Sequence, residues 1–369
     1  MNMVYLDYSA TSPVDSEVMD SFVKASSYFG NPNSLHKLGI ESKKLIDAST
    51  NQIASLLDVS SDEIIYTSGA SESNNTVIKA MEMYKNRGRK IITTELEHSS
   101  IYAPLNYLSE RGFDIEFVPL KDGVVDIDAL EDMLDGAVLV TISMVNSETG
   151  IRQPIEEIGK VLKKYPKVLF HTDITQALGK IKFDLSDVDF ASFSAHKFFG
   201  YKGIGGLYKK KGININPLIS GGKSTTIYRS GTPATQLTVS MAKALRLSYE
   251  NMDEDIEKIH SLNCYLKDEL SKYDKIRINS NDNSIDHILN FSVLSVKPET
   301  FMHALEEDDI YISTQSACST GDYSKAVLAI CGDKERASSS LRISISRKTT
   351  KNEIDLFLKS FDKNYKKLV

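Results

Sequence analysis

From about Ser34 to Leu247, short runs of β-branched and aliphatic residues alternate with stretches of helical periodicity, and few folds accommodate that alternation. Strands joined through helices need crossover connections, which set the strands parallel and lay helices over both faces of the sheet. The candidate strands are Glu63–Thr67, Lys90–Thr94, Ile115–Pro119, Val138–Val145, Val168–Asp173, Phe190–Ser194 and Gly205–Lys209. Several are apolar throughout, as strands covered on both faces must be. After about Ser248 the character changes to a charged helical stretch at Glu250–Lys272, short strands near Ile288–Ser292 and Arg342–Ser346, and a closing helix from Lys351. The expected fold is α/β, with a mostly parallel central sheet and helices on both faces in a large domain of residues 14–248. A smaller α+β domain is expected from residues 1–13 together with 249–369, with Met1–Leu6 packing against it.

Composition narrows the possible functions. A chain of 369 residues that is 41% hydrophobic can bury a large core. The longest apolar stretch, Ala137–Val145, is far too short to span a bilayer and is interrupted by Thr141 and Ser143. The first thirteen residues lack the basic start and apolar core of a secretory signal, so a cytoplasmic protein with no membrane partner is expected. A net charge of -6 gives no field that would draw in nucleic acid, and small molecules and proteins are the expected partners. Cys264, Cys318 and Cys331 are odd in number and widely spaced, which suits neither a disulfide framework nor a zinc site. No metal is expected, and any working cysteine should act as a thiol.

Ionisable and polar residues gather where the candidate strands end, the place where α/β proteins bind ligands. Lys197 follows an apolar strand in Ser194-Ala195-His196-Lys197, and an amine there can form a Schiff base with an aldehyde cofactor. Asp173 ends another strand in His171-Thr172-Asp173. A buried carboxylate is costly unless paired, and a pyridinium nitrogen would be a fitting partner. A third segment, Thr67-Ser68-Gly69-Ala70-Ser71-Glu72-Ser73, passes from a strand through a glycine turn into a helix expected to be capped by Ser71, an anion site by virtue of its backbone amides and dipole. Cys318 lies in the small-residue segment Ser313–Asp322, which reads as a mobile surface loop with an exposed thiol. Cys264 and Cys331 read as inert buried residues.

In their order along the chain these motifs resemble the class V aminotransferase family of fold-type I pyridoxal-5′-phosphate enzymes, and within it the IscS/NifS-type cysteine desulfurases. The resemblance begins at Tyr5-Leu6-Asp7-Tyr8-Ser9-Ala10-Thr11 and takes in Glu97-His98, Val145–Gly150, Arg229-Ser230-Gly231-Thr232, Ser316-Ala317-Cys318 and Ser340-Leu341-Arg342. It implies that Lys197 bonds the cofactor and Asp173 meets its ring nitrogen, while His98 stacks on the ring as an acid/base. Gln176 and Asn146 would approach the phenolic oxygen, and Ala70, Ser71, Ser194 and His196 would hold the phosphate, with Thr232 entering from the partner subunit of a homodimer. Arg342 with Asn146 would bind the carboxylate of L-cysteine. Cys318 would receive the sulfur as a persulfide for a protein acceptor, either an iron–sulfur scaffold or a tRNA-thiolation protein.

The chain departs from the family pattern at Ser71 (usually Thr), Ile174 (usually Ala), Lys223-Ser224 (usually a carboxylate) and Gln315 (usually Gly). Two other readings are a selenocysteine lyase or other class V lyase or aminotransferase, which would not depend on Cys318, and a non-catalytic scaffold in a sulfur-transfer complex, which would not bind the cofactor.

Overall fold

A computed structural model describes residues 3–314 and 323–369. Seven strands form the central sheet: β1 (Ile64–Thr67), β2 (Lys90–Thr93), β3 (Asp114–Phe117), β4 (Ala137–Thr141), β5 (Leu169–Asp173), β6 (Phe190–Ser194) and β7 (Gly205–Lys209). Their order is β1-β7-β6-β5-β4-β2-β3, with β7 antiparallel to both of its neighbours and every other pair parallel. All seven candidate strands are therefore present. Val138–Val145 overshoots, because the strand ends at Thr141 although Ile142 and Met144 still donate to His171 and Asp173 of β5.

The two-residue period of a strand sorts the core. Ile65, Ile91, Leu139, Leu169, Phe190 and Leu207 enter the cluster covered by helices Ala70–Ala80 and Ser99–Ser109. Their successors Ile64 (the preceding residue on β1), Ile92, Val140, Phe170, Ala191 and Tyr208 enter the opposite cluster, with Ile53 of helix Lys37–Leu56 and Met241 of helix Thr235–Glu250. Both faces of the inner strands β4 to β7 are buried, which is why several strands read as largely apolar runs, whereas the edge strand β3 is half exposed.

The expected helix at Glu250–Lys272 is instead the end of Thr235–Glu250 followed, after Asn251, by Met252–Leu270. A three-stranded antiparallel sheet (Ile276–Ile278, Ile288–Val293, Ser340–Ser344) packs with helices Pro298–Glu306 and Lys351–Leu368 in a separate cluster. Phe291, Phe301, Phe357 and Phe361 are fully buried there, each contributing roughly 1.5–3 kcal/mol through area removed from water. Val4 and Leu6 join this cluster, and the strand Val4–Tyr5 pairs in parallel with Ile310–Tyr311. The N-terminal segment then runs past Ser344 and delivers Ser9 and Ala10 to the ends of the central strands. Among the described residues no helix is long and apolar enough to cross a membrane.

Cys264 and Cys331 are half-buried rather than buried. Each sits on a helix face with a polar neighbour: Cys264 Sγ is 3.6 Å from His260 Nε2, and Cys331 Sγ donates to the Val327 carbonyl at 3.1 Å. Cys318 and Gln315 lie outside the described residues.

Candidate active site

The carboxyl ends of β1, β2, β4, β5 and β6 converge on a cavity of about 240 Å³. Ala70, Ser71, His98, Asn146, Asp173, Gln176, Ser194, His196, Lys197 and Arg342 all line it. Thr232 does not. It lines a separate cavity with Thr67, Ser68, Gly203 and Arg229.

Lys197 closes a single helical turn, Ala195–Lys197, directly after β6. That turn is tight: Phe199 takes a left-handed φ of 65°, a conformation that a bulky residue holds only when its surroundings impose it. Here Ser12 Oγ accepts from the Phe199 amide at 2.7 Å and the Phe199 carbonyl accepts from Asp15 at 3.0 Å. The resulting geometry sends Lys197 Nζ to the carbonyls of Ser9 (2.5 Å) and Ala10 (2.8 Å).

Asp173, the last residue of β5, is 7% exposed. Its carboxylate accepts from Asn74 Nδ2 at 2.8 Å and from the Thr175 amide at 2.9 Å. Asn74 is wholly buried, and the same nitrogen donates to Ser100 Oγ at 2.9 Å, which lies 2.8 Å from His98 Nδ1. A single network thus joins the carboxylate to the imidazole. His98 also caps helix Ser99–Ser109, with Nδ1 accepting from the Ser100 amide at 3.1 Å. A nitrogen that accepts a backbone N–H carries no proton, so the neutral ring holds its proton on Nε2. Burial lowers the His98 pKa against the opposing pull of Asp173, which favours that neutral form.

At the anion cup the cap is Gly69 rather than Ser71. Helix Ala70–Ala80 begins two residues earlier than expected, and Gly69 takes a φ of 153°, which only glycine adopts without strain. Ser194 Oγ accepts from the Ala70 amide at 2.7 Å, and Ser71 occupies the exposed side of the first turn. A Cβ at Gly205 would stand 2.3 Å from the Phe193 carbonyl oxygen and 2.7 Å from Gly69 Cα, so bare glycines let β6, β7 and the turn close beneath the cup. His196 Nδ1 lies 3.1 Å from Thr11 Oγ1, and burial, reinforced by Lys197, Lys202 and Lys180, pushes its pKa down to about 4.

Asn146 organises the turn that forms the opposite wall. Its Oδ1 accepts from the amides of Glu148 (3.0 Å) and Thr149 (2.8 Å), while Nδ2 donates to the Leu96 carbonyl at 2.8 Å. Arg342 enters from the small sheet and is 1% exposed. Its guanidinium donates to Asp7 Oδ1 at 2.6 Å and to the Ser147 carbonyl at 2.9 Å, a two-sided brace that presets the fork for an incoming carboxylate.

Sequence reasoning left Asn74, Ser100 and Lys180 unassigned. Asn74 had a signal, because it directly follows the Thr67–Ser73 motif and lies one helical turn after Ala70, so it faces the same way. Glu97, matched only as part of a motif, proves to be a tie between two walls. Its buried carboxyl accepts from Thr94 Oγ1 at 2.7 Å, from the Ser143 amide at 3.1 Å and from Ser143 Oγ at 2.5 Å. Burial raises its pKa from 4.5 to about 7. A carboxyl with a raised folded-state pKa stabilises the fold fully below its unfolded value and loses that contribution as pH rises through the folded value. Glu97→Gln, which cannot ionise, should therefore gain about 2.5 kcal/mol relative to wild type between pH 5 and pH 8. Chemical denaturation at the two pH values measures this, and a pH-independent difference would refute it.

The family model described as Aminotransferase class-V matches residues 4–357. The chain belongs to that family. A cysteine desulfurase IscS of Dictyoglomus turgidum is 37% identical, with the match covering 99% of this chain and 95% of the relative. A solved structure titled NifS-like protein superposes with a TM-score of 0.94 at 34% identity, covering 100% of both chains. Another, titled SspA in complex with cysteine, gives a TM-score of 0.82 at 30% identity over 94% of this chain and 99% of that one.

Members of this family use pyridoxal 5′-phosphate, and the residues present fit it. An amine and a carboxylate face one cavity, a glycine cradle with a helix N-terminus adjoins them, and Thr175 lines the cavity with a hydroxyl that is buried and unpartnered among the described residues.

Proposed function

We propose that the chain is a pyridoxal-5′-phosphate-dependent cysteine desulfurase that takes the sulfur of L-cysteine, releases L-alanine and carries the sulfur as a persulfide on Cys318. The observation that carries this reading is the convergence of Lys197, Asp173, His98 and Arg342 on one cavity. Similarity to the IscS relative and to the structure solved with cysteine supports the choice of substrate.

In this reading Lys197 would attach the cofactor, Asp173 would pair with its ring nitrogen, and Ala70, Ser71, Ser194 and His196 would hold its phosphate. When bound, the cofactor supplies an electron sink for the pair left behind when the substrate loses its α-proton. Lys197 Nζ, aimed into the cavity by the Phe199 turn, would take that proton as general base. Arg342, with Asn146, fixes the substrate carboxylate and so the direction in which the α-hydrogen points. His98, neutral with its proton on Nε2, is placed to donate it. Cys318 as thiolate then attacks the substrate sulfur. A sulfur–sulfur bond forms, the carbon–sulfur bond breaks with its electron pair going to carbon, and protonation of that carbon completes alanine.

Thr232 stands outside this cavity, which supports a homodimer in which it serves the partner's cup. Phe29 and Leu35 are 80% and 92% exposed, with Leu38, Ile40 and Ile227 also exposed, an apolar surface of the kind that a second copy covers. Residues 14–248 form the large domain, and residues 1–13 with 249–369 the small one. The sulfur goes to a protein acceptor in iron–sulfur assembly or tRNA thiolation, in the cytoplasm.

Purified protein given L-cysteine and a thiol reductant should form alanine and sulfide in equal amounts. A keto acid in place of alanine would contradict the reading.

A further inference from the structure

Lys180 stands four residues after Gln176, and its Nζ donates to Gln176 Oε1 at 2.6 Å. The other end of that amide, Nε2, donates to the Ser9 carbonyl at 2.9 Å. The same carbonyl accepts from Lys197 Nζ at 2.5 Å. One amide and one carbonyl therefore join two ammonium groups.

A side-chain amide has an acceptor end and a donor end, and it can be turned over at little cost unless something distinguishes the two. As an ammonium, lysine donates only and so takes the acceptor end at Oε1, while the Ser9 carbonyl, which accepts only, takes the donor end at Nε2. On the far side of Lys197, a space of about 20 Å³ is lined by both lysines together with His287, Asp255 and Arg347. The charged and titratable groups facing Lys180 are thus Lys197, Arg342, His196, His287, Asp255, Arg347 and Tyr8. Burial, then the charges of Lys197 and Arg342, lowers the Lys180 pKa to about 7. No step of the reaction described above uses this costly cation.

We propose that Lys180 is a positioning residue for the cofactor site: it locks the Gln176 amide with its donor end toward the cavity and, through the Ser9 carbonyl, sets the resting place of Lys197 Nζ. The inference rests on the pyridoxal-phosphate reading above. It extends that reading to a residue which touches neither substrate nor cofactor.

The test is the absorption spectrum of the purified holoenzyme titrated with pH. Cofactor attached through Lys197 gives a long-wavelength band from the protonated linkage, and a nearby cation or an oriented donor on the cofactor side lowers the pH at which that band is lost. Lys180→Met removes the cation and the donor that holds Gln176 Oε1, leaving the amide held at the Ser9 carbonyl alone, so the midpoint should rise by about one pH unit. Lys180→Arg keeps a cation and donors, and should stay near the wild-type midpoint. Gln176→Leu removes the amide that Lys180 orients, and should move the midpoint in the same direction as Lys180→Met. A wild-type midpoint in Lys180→Met, or an equally large move in Lys180→Arg, would overturn the proposal. So would an unmoved midpoint in Gln176→Leu, which decides the matter even if the methionine variant does not fold. Absence of the band from the wild-type protein overturns the pyridoxal reading itself, and this proposal with it.

Discussion

Lys197→Ala is expected to lower the rate of alanine formation from L-cysteine by about 10³-fold or more. The side chain has two duties in the proposed reaction, attaching the cofactor and moving the α-proton, and loss of a positioned acid/base alone costs about 10²–10⁴-fold. The fold should survive. What the variant loses is one ammonium donating to the carbonyls of Ser9 and Ala10, a loss on the order of 1–3 kcal/mol for hydrogen bonds from a charged group. Ala70, Ser194 and Asp173 keep their own partners without it, so cofactor should still bind but without a covalent link. Borohydride reduction followed by peptide mass analysis reads this directly: the cofactor is fixed to the Lys197 peptide in wild type and to no peptide in the variant. Activity within tenfold of wild type would contradict the assignment.

Cys318→Ala should lower sulfide release from L-cysteine by at least about 100-fold, the scale on which a group at the reacting atoms matters. Cysteine binding should persist, because Arg342 and its brace from Asp7 and Ser147 are untouched. The variant is therefore expected to change colour on addition of cysteine and then stall. Full-rate production of alanine and sulfide would indicate a lyase that eliminates sulfur without a protein thiol, the behaviour of the selenocysteine-lyase alternative. A variant that neither binds cofactor nor responds to cysteine in any form would favour the scaffold alternative.

Much of this architecture is legible in the sequence because the physics is local. The inner strands are readable since they must be apolar on both faces, as the sorting of Ile91 and Ile92, or Leu139 and Val140, into opposite clusters shows, while the edge strand Asp114–Phe117 is half exposed and charged. Lys197, Asp173 and the Gly69 turn are readable because they stand at strand ends, where side chains meet ligands. The antiparallel course of β7 is not readable, because a five-residue apolar strand carries no mark of its direction. Nor is Gly69 as cap, since the choice depends on Ser194 arriving from a strand 124 residues away to take the first amide. Lys180 reads as surface charge in isolation, and only the fold places Gln176, Ser9 and Lys197 around it. Glu97 is invisible for a similar reason, because its partner Ser143 comes from the end of a different strand.

Whether sulfur passes from L-cysteine to Cys318 is decided by intact-mass and peptide-mass analysis of the holoenzyme mixed with one equivalent of L-cysteine without reductant. The expected result is a gain of one sulfur atom on the Cys318 peptide, removable by a thiol reductant, with alanine formed in equal amount and no such gain on the Cys264 or Cys331 peptides. Alanine formed in full while the Cys318 peptide keeps its unmodified mass would contradict the account.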